Sequence, residues 1–271
     1  MAEEKERAIA GEVPISIVYN GVHPYAVMMA TPADLADYAV GFTCAEGIAQ
    51  DEHDIVGCSW QVESPPTQRE AQGVRLDVQL APEAFSRLLQ RQQGRALVGG
   101  SACGVCGQED SSFMTCPVER SVLPPTQRPS PNALLKAVEG LREHQPFNKR
   151  LRMLHAAAWA DPAGNILLAR EDIGRHNALD KLVGALRRSG YDRGQGFVVL
   201  SSRCSFEMAQ KAVLAGMRVL VAVSAPSRQA VALARQGGLA LASCQRGVLD
   251  VFTHPGYLAL PNERAQVPGL R

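Results

Sequence analysis

From residue 133 onward the chain alternates nearly unbroken Val/Leu/Ile runs with amphipathic helical stretches, and few architectures accommodate that pattern. The runs "GFVVLSS" (196–202), "RVLVAVS" (218–224) and "LALASC" (239–244) are separated by "SFEMAQKAVLAG" and "SRQAVALARQGG". A strand that is apolar toward both sides must be covered on both faces, and the intervening helices supply that cover. Further helices are predicted over "NALLKAVEGLREH" and "HNALDKLVGALRRSG", and strands around "HAAAWADPAGNILLARED" and "VLDVFT". Residues 133–271 are therefore expected to form a three-layer αβα domain.

The preceding sequence reads differently. "VPISIVYNGVHPYAVMMA" predicts two strands about Asn20-Gly21, a dipeptide that tolerates the positive φ values of a tight hairpin. In "TPADLADYAVGFTCAEGI" Thr31 is expected to cap a helix, with Pro32 in its first turn and Leu35, Tyr38, Ala39 and Phe42 at helical spacing. "VRLDVQL" alternates like a half-buried strand, and "PEAFSRLLQRQQ" reads as a short helix. Residues 1–120 are thus a smaller α+β subdomain. Five prolines in the sixteen residues "PVERSVLPPTQRPSPN" oppose both helix interior and central strand, so 121–132 is expected to be an extended linker.

Charge excludes some partners. Lys+Arg 28 against Asp+Glu 27 leaves a net charge of +1 across 271 residues, so no global attraction to nucleic acid or an anionic membrane is expected. No apolar stretch reaches the roughly 18 residues of a membrane helix, and "MAEEKERAIAGEVPISI" has no cleavable apolar run. Seven scattered cysteines do not resemble a secreted disulfide framework. A cytoplasmic protein is expected.

Anion binding, if present, must be local. "SSRCSFE" (201–207), "SAPSR" (224–228) and "REDIGRHN" (170–177) each lead into a helix through small hydroxyl residues or arginines. Helix N-termini at strand ends offer unpaired N–H groups and partial positive charge. The alternative is that the serines only cap helices and the arginines are solvated.

"GGSACGVCGQED" (99–110) sets Cys103 and Cys106 among four glycines. A tetrahedral zinc site needs two further ligands at comparable spacing, yet the histidines at 23, 53, 144, 155, 176 and 254 show no such pairing. A thioredoxin-type dithiol needs a strand before it and a helix after it, whereas glycines flank this pair on both sides. Two ordinary cysteines in a loop is the plainest alternative, and free cysteine is usually a small buried hydrophobe. A mobile arm presenting a nucleophilic sulfur fits best. It reaches first a donor and then an acceptor, with the neighbouring thiol resolving the cargo.

"CGVCG", "EDIGRHNALDKLVG", "SSRCSFEMAQKA", "VSAPSRQAVALA" and "FTHPGY", in this order, together with "TPADLADYAVGFTCAEGI", resemble the FdhD family of formate dehydrogenase accessory sulfurtransferases. The resemblance implies a homodimer whose larger domain has a cytidine-deaminase-like fold without zinc chemistry. It implies that a cysteine desulfurase delivers sulfur to the Cys-x-x-Cys segment. From there the sulfur passes to the molybdenum (or tungsten) bis(molybdopterin guanine dinucleotide) cofactor of the formate dehydrogenase catalytic subunit. Cys103 then carries the persulfide and Cys106 assists. The family's cofactor-binding segment falls on Phe252, Thr253, His254, Pro255, Gly256 and Tyr257, and Arg175, His176 and Arg203 become candidates to face the guanine nucleotide. Two departures stand out. The family commonly has Thr-Gly-Gly where this chain has Leu151-Arg152-Met153, and Glu-Arg where it has Gly256-Tyr257.

Other residues invite simpler readings. Glu171 and Asp172 are adjacent carboxylates expected to be solvated or paired with arginine. His176 is either ligand-facing or a helix-cap neighbour, Cys204 is expected to pack rather than react, and Trp159 and Met208 are expected in the core. A different class of function, a non-catalytic chaperone that binds the cofactor and the dehydrogenase with its cysteines incidental, is the alternative to sulfur transfer.

Overall fold

The computed structural model describes residues 11–50, 53–63, 73–93 and 123–260. Cys103 and Cys106 lie outside the described residues, as does the first part of the 121–132 linker. Among the described residues the fold is mixed α/β, built on two mixed sheets.

The first sheet has the order β2-β1-β4-β3. β1 (Val13–Tyr19) and β2 (His23–Ala30) form the expected antiparallel hairpin, with Asn20 at φ 50° and Gly21 at φ 70° in its turn. β4 (Gly73–Leu80) runs parallel to β1, and β3 (Ile55–Glu63) closes the far edge antiparallel to β4. Ile15, Ile17 and Tyr19 meet Val74, Leu76 and Val78 on one face. That face is covered by α1 (Leu35–Ala45) and α2 (Pro82–Gln93).

The second sheet has the order β10-β9-β8-β7-β5-β6. β7 (Phe197–Arg203), β8 (Val219–Ser224) and β9 (Ala240–Gln245) are parallel. β5 (His155–Ala160), β6 (Ile166–Asp172) and β10 (Val248–Val251) complete it through antiparallel pairings. The inner strands β7, β8 and β9 bury both faces over most of their length, as their composition predicts. Val198 and Leu200 pack with α5 (Arg175–Ser189), α6 (Phe206–Leu214) and α7 (Arg228–Gln236), while Phe197 and Val199 pack with α3 (Pro131–Gly140). A short α4 (Pro146–Leu151) follows α3. Trp159 and Met208 are in the core, as expected.

The two sheets are joined through α1 and α5, which approach backbone to backbone. A Cβ placed on Gly41 would stand 1.6 Å from the Asp180 carbonyl oxygen, and one on Gly184 would stand 1.8 Å from that of Asp37. Only glycine admits that crossing. α1, which precedes the proline-rich segment in sequence, is therefore packed on α5, which covers the second sheet.

This seam corrects two readings of the sequence. α1 begins at Leu35, with Asp34 rather than Thr31 before it and no side-chain cap. Thr31 is engaged elsewhere, its Oγ1 accepting from Ile173 N–H at 3.1 Å. Glu171 and Asp172 are also not solvated or arginine-paired, since both are buried. Glu171 accepts from Phe147 N–H and Asn148 N–H at 2.8 Å each, capping α4 from a neighbouring strand. Asp172 accepts from Lys181 Nζ at 2.7 Å, from Thr31 N–H at 3.0 Å and from Gly174 N–H at 2.8 Å. Arg170 and Arg188 add ion pairs to Asp37 on α1. Much of "REDIGRHN" thus fastens one half of the chain to the other.

Candidate functional site

The directions of the strands decide where a ligand can sit. β6, β7 and β8 all leave the second sheet at one edge, where α5, α6 and α7 begin, and β5 enters there with His155. This carboxyl edge gathers the three loops singled out from the sequence.

On the α5–α6 side the edge is crowded with titratable groups. His176 Nε2 stands 2.8 Å from Glu207 Oε2, but the contact is not aligned as a hydrogen bond. Burial pushes the His176 imidazole down to about 4; Glu207 opposes this, and the charges of Arg175, Lys211 and His155 add to it. His155 is lowered as well, by burial and then by Arg175. Both rings are therefore neutral at pH 7. Arg175 Nε and Ser205 Oγ are buried without hydrogen-bond partners, although Ser227 Oγ, one loop away, accepts from Ala230 N–H as an ordinary helix cap. Capping accounts for one loop and leaves donors unused in the other two. Such unpaired donors suit an oxyanion. Arg203 is exposed at the end of β7, beside Ser224 in register.

Across the sheet at the same edge lies a pocket of about 480 Å³. Val138, Leu141, Leu154 and Val223 form its apolar wall, and Arg142, Gln145, Asn148, Arg152, His155 and Ser201 its polar one. Nothing in the spacing of the sequence pointed to Arg142, Gln145 or Arg152, because the helix–turn–helix that carries them meets the sheet only through tertiary packing. Glu207 was missed for the same reason.

The Phe252–Tyr257 segment is elsewhere. β10 runs antiparallel to β9, and Val251 pairs with Ala242, so the chain emerges at the opposite, amino edge. Thr253 is buried, its Oγ1 accepting from Leu241 N–H at 2.9 Å and donating to Leu239 O at 2.6 Å. His254 takes φ 45°, contacts Arg235 O through Nε2 at 2.9 Å, and stacks on Tyr257 with ring centroids 5.4 Å apart. Pro255–Tyr257 form a single 3-10 turn, and Phe252 remains partly exposed. Within one chain the structure brings together Arg175, His176 and Arg203 but not these six residues.

The described cysteines are poor nucleophiles. Burial raises the Cys204 thiol to about 12 and that of Cys44 to about 11, and it also raises Cys58 and Cys244. Cys204, fully buried, packs as the sequence suggested.

Comparison with known proteins adds the lineage. The family model described as "FdhD/NarQ family" matches residues 10–259. The chain belongs to the FdhD/NarQ family. Relatives within it include the sulfur carrier protein FdhD of Xanthomonas euvesicatoria pv. vesicatoria, 44% identical over 255 residues, covering 93% of this chain and 86% of that one. The protein of the same name from Variovorax paradoxus is 42% identical over 250 residues, covering 91% and 85%. A crystal structure assigned to the formate dehydrogenase accessory proteins, from Desulfotalea psychrophila, superposes with a TM-score of 0.64 and 21% identity over 92% of this chain and 90% of that one. At that identity the likeness is one of fold. Among the described residues of this FdhD/NarQ protein, no helix is long and apolar enough to cross a membrane.

Proposed function

We propose that this chain is a sulfur carrier for formate dehydrogenase. In this reading Cys103 accepts sulfur from a cysteine desulfurase, and the sulfur goes to the molybdenum bis(molybdopterin guanine dinucleotide) cofactor that becomes part of the dehydrogenase. The observation that carries the reading is the inertness of the four described thiols, Cys44, Cys58, Cys204 and Cys244. A thiol at about 12 is ionised in only about one molecule in 10⁵ at pH 7, so Cys204 offers no nucleophile. Three cysteines remain, Cys103, Cys106 and Cys116, of which only Cys103 and Cys106 form a Cys-x-x-Cys pair, and relatives more than 40% identical carry the name of sulfur carrier.

The chemistry balances with two thiols. The Cys103 thiolate attacks the terminal sulfur of the desulfurase persulfide; a new S–S bond forms on Cys103, and the desulfurase cysteine leaves as thiolate. Cys106 then attacks Cys103 Sγ, forming a disulfide and releasing sulfide toward the metal, so the two thiols supply the two electrons. A thiol reductant returns the pair to its starting state. The unpaired donors Arg175 Nε and Ser205 Oγ, with exposed Arg203 beside them, support phosphate recognition at the carboxyl edge. Phe252 and the His254–Tyr257 stack offer aromatic surface for a guanine at the amino edge. Two separated recognition surfaces suit a cofactor with two nucleotide arms held by a homodimer. The larger domain is read as cytidine-deaminase-like with its zinc chemistry absent, and the protein as a cytoplasmic sulfurtransferase.

The test is Cys103→Ala. Sulfuration of the dehydrogenase is expected to be abolished while the thermal midpoint and guanine nucleotide binding stay those of the parent. Full dehydrogenase activity with this variant favours a chaperone whose cysteines are incidental.

A further inference from the structure

The carboxyl edge of the second sheet exposes more arginine than phosphate recognition by Arg175 and Arg203 requires. We propose that this edge is a docking face for an acidic protein surface, that of the catalytic subunit of the dehydrogenase. The identity of the partner rests on the proposed function; the charge and chemistry of the face do not.

Arg142, Arg150 and Arg152 stand on the α3–α4 side of the edge, Arg203 and Arg228 on the α6–α7 side, and Arg246 in the turn from β9 to β10. All six are exposed, and among the described residues none of their side chains has an ion pair or hydrogen bond. Elsewhere Arg75, Arg87, Arg170 and Arg188 each meet an aspartate. Glu139 and Glu143, exposed at the end of α3 and just beyond it, offset the six only in part. Over the whole chain Lys+Arg 28 and Asp+Glu 27 nearly cancel, so this rim is a local concentration of charge and not a reflection of composition. Such a rim steers an acidic partner toward the edge and turns away a basic one.

The uncharged residues among the arginines favour a protein over a nucleic acid or a membrane. Phe147 is 40% exposed and Met153 52% exposed, at the two ends of α4. Arginine, methionine and aromatic residues are enriched in protein–protein interfaces and lysine is depleted. Lys149, the lysine of α4, is engaged with Glu143 O at 2.9 Å. A helix lying in a membrane surface needs an apolar face sustained over several turns, and α4 has six residues.

α4 is also held still. Glu171, buried on β6, accepts from Phe147 N–H and Asn148 N–H at 2.8 Å each, and Arg152 N–H donates to Asn148 O at 2.8 Å at the other end. Asn148 Oδ1 then accepts from Leu154 N–H at 3.1 Å, which fixes the exit past Met153. Side chains presented on a fixed backbone lose less freedom on binding, so the apolar pair is suited to anchor a partner that the arginines attract.

The experiment is surface plasmon resonance between the full chain and the purified, cofactor-free catalytic subunit at low and high salt. The parent is expected to bind, with an association rate that falls as salt rises. Arg150 and Arg228 lie on opposite sides of the rim, and neither lines the pocket. Arg150→Glu/Arg228→Glu is expected to slow association roughly tenfold or more with an unchanged thermal midpoint. Phe147→Ser is expected to speed dissociation roughly tenfold. Both variants are expected to gain sulfur from the desulfurase as the parent does. The inference is overturned if the parent does not bind the subunit, or if the double variant binds it like the parent. It is equally overturned if the double variant also loses loading by the desulfurase, because the rim then serves the donor. Binding of a homopolymer RNA or of phosphatidylglycerol vesicles as tightly as the subunit overturns it too, because the rim is then a general polyanion surface. A parent that gains no sulfur at all counts against the proposed function and is read by mass, independently of these binding rates.

Discussion

The α1–α5 seam and the carboxyl edge of the second sheet are both rich in buried polar groups, and they begin within three residues of each other, at Asp172 and Arg175. In the seam the buried carboxylates all have cations. Asp172 meets Lys181 with both side chains fully buried, Lys211 Nζ reaches both oxygens of Asp180 at 2.8 Å, and Asp37 meets two arginines. At the edge, Arg175 Nε, Ser205 Oγ and Gln145 Nε2 have none. Polar burial as such therefore says little about function. A polar group completed by its own fold is architecture, and one left incomplete is an invitation to a ligand. By this measure the Thr253 hydroxyl, with both its bonds inside the fold, is on the architectural side, whatever role its aromatic neighbours have.

The sharpest way to break this contrast is to cut the seam. Lys181→Met is expected to cost about 3–5 kcal/mol, because Asp172 is then left charged and buried without its cation. Urea denaturation measures it, and a loss below 1 kcal/mol would show that the seam is not held as described. Gly184→Ala is next, at about 1–3 kcal/mol, since the added methyl group meets the Asp37 carbonyl and the two helices must separate. Thr253→Val strands Leu241 N–H and is expected to cost about 1–3 kcal/mol in the same assay.

Changes at the edge should act in the opposite way. Ser205→Ala removes a hydroxyl with no partner, so stability is expected to stay within about 0.5 kcal/mol of the parent. A larger loss would mean that this hydroxyl belongs to the fold after all. The smallest effect is electrostatic. With its pKa lowered to about 4, His176 is neutral in the folded protein while the unfolded chain still binds a proton near 6.5, so folding stability from this group falls as pH drops from about 6.5 toward 4. NMR titration is expected to place the His176 midpoint near 4, and a midpoint above 6 would contradict the burial that sets it.

The sequence displays some of this and hides the rest for physical reasons. The β7, β8 and β9 runs, the Asn20-Gly21 hairpin and α2 are written in local periodicity and turn chemistry, and they stand where expected. β3 escapes because "IVGCSWQVE" is an edge strand with Trp60 and Val62 largely exposed, so it lacks a clean alternation. The start of α1 escapes because Thr31, a good cap by composition, bonds across the seam to Ile173 instead. Likewise, Glu171 and Asp172 look like surface acids until α4 and Lys181 are folded against them. Of the candidate site, Arg175, His176 and Arg203 are legible as residues near helix starts. Glu207, Arg142, Gln145 and Arg152 join them only through tertiary contact. Similarity in motif order linked Phe252–Tyr257 to the same ligand, and only the antiparallel turn into β10 reveals that it emerges at the other edge.

Intact mass after incubation with a cysteine desulfurase and free cysteine bears most directly on the sulfur carrier itself. The parent is expected to gain the mass of one sulfur atom, lost again on reduction, and Cys103→Ala to gain none. An unchanged parent, or a Cys103→Ala protein that gains sulfur as the parent does, would contradict the account.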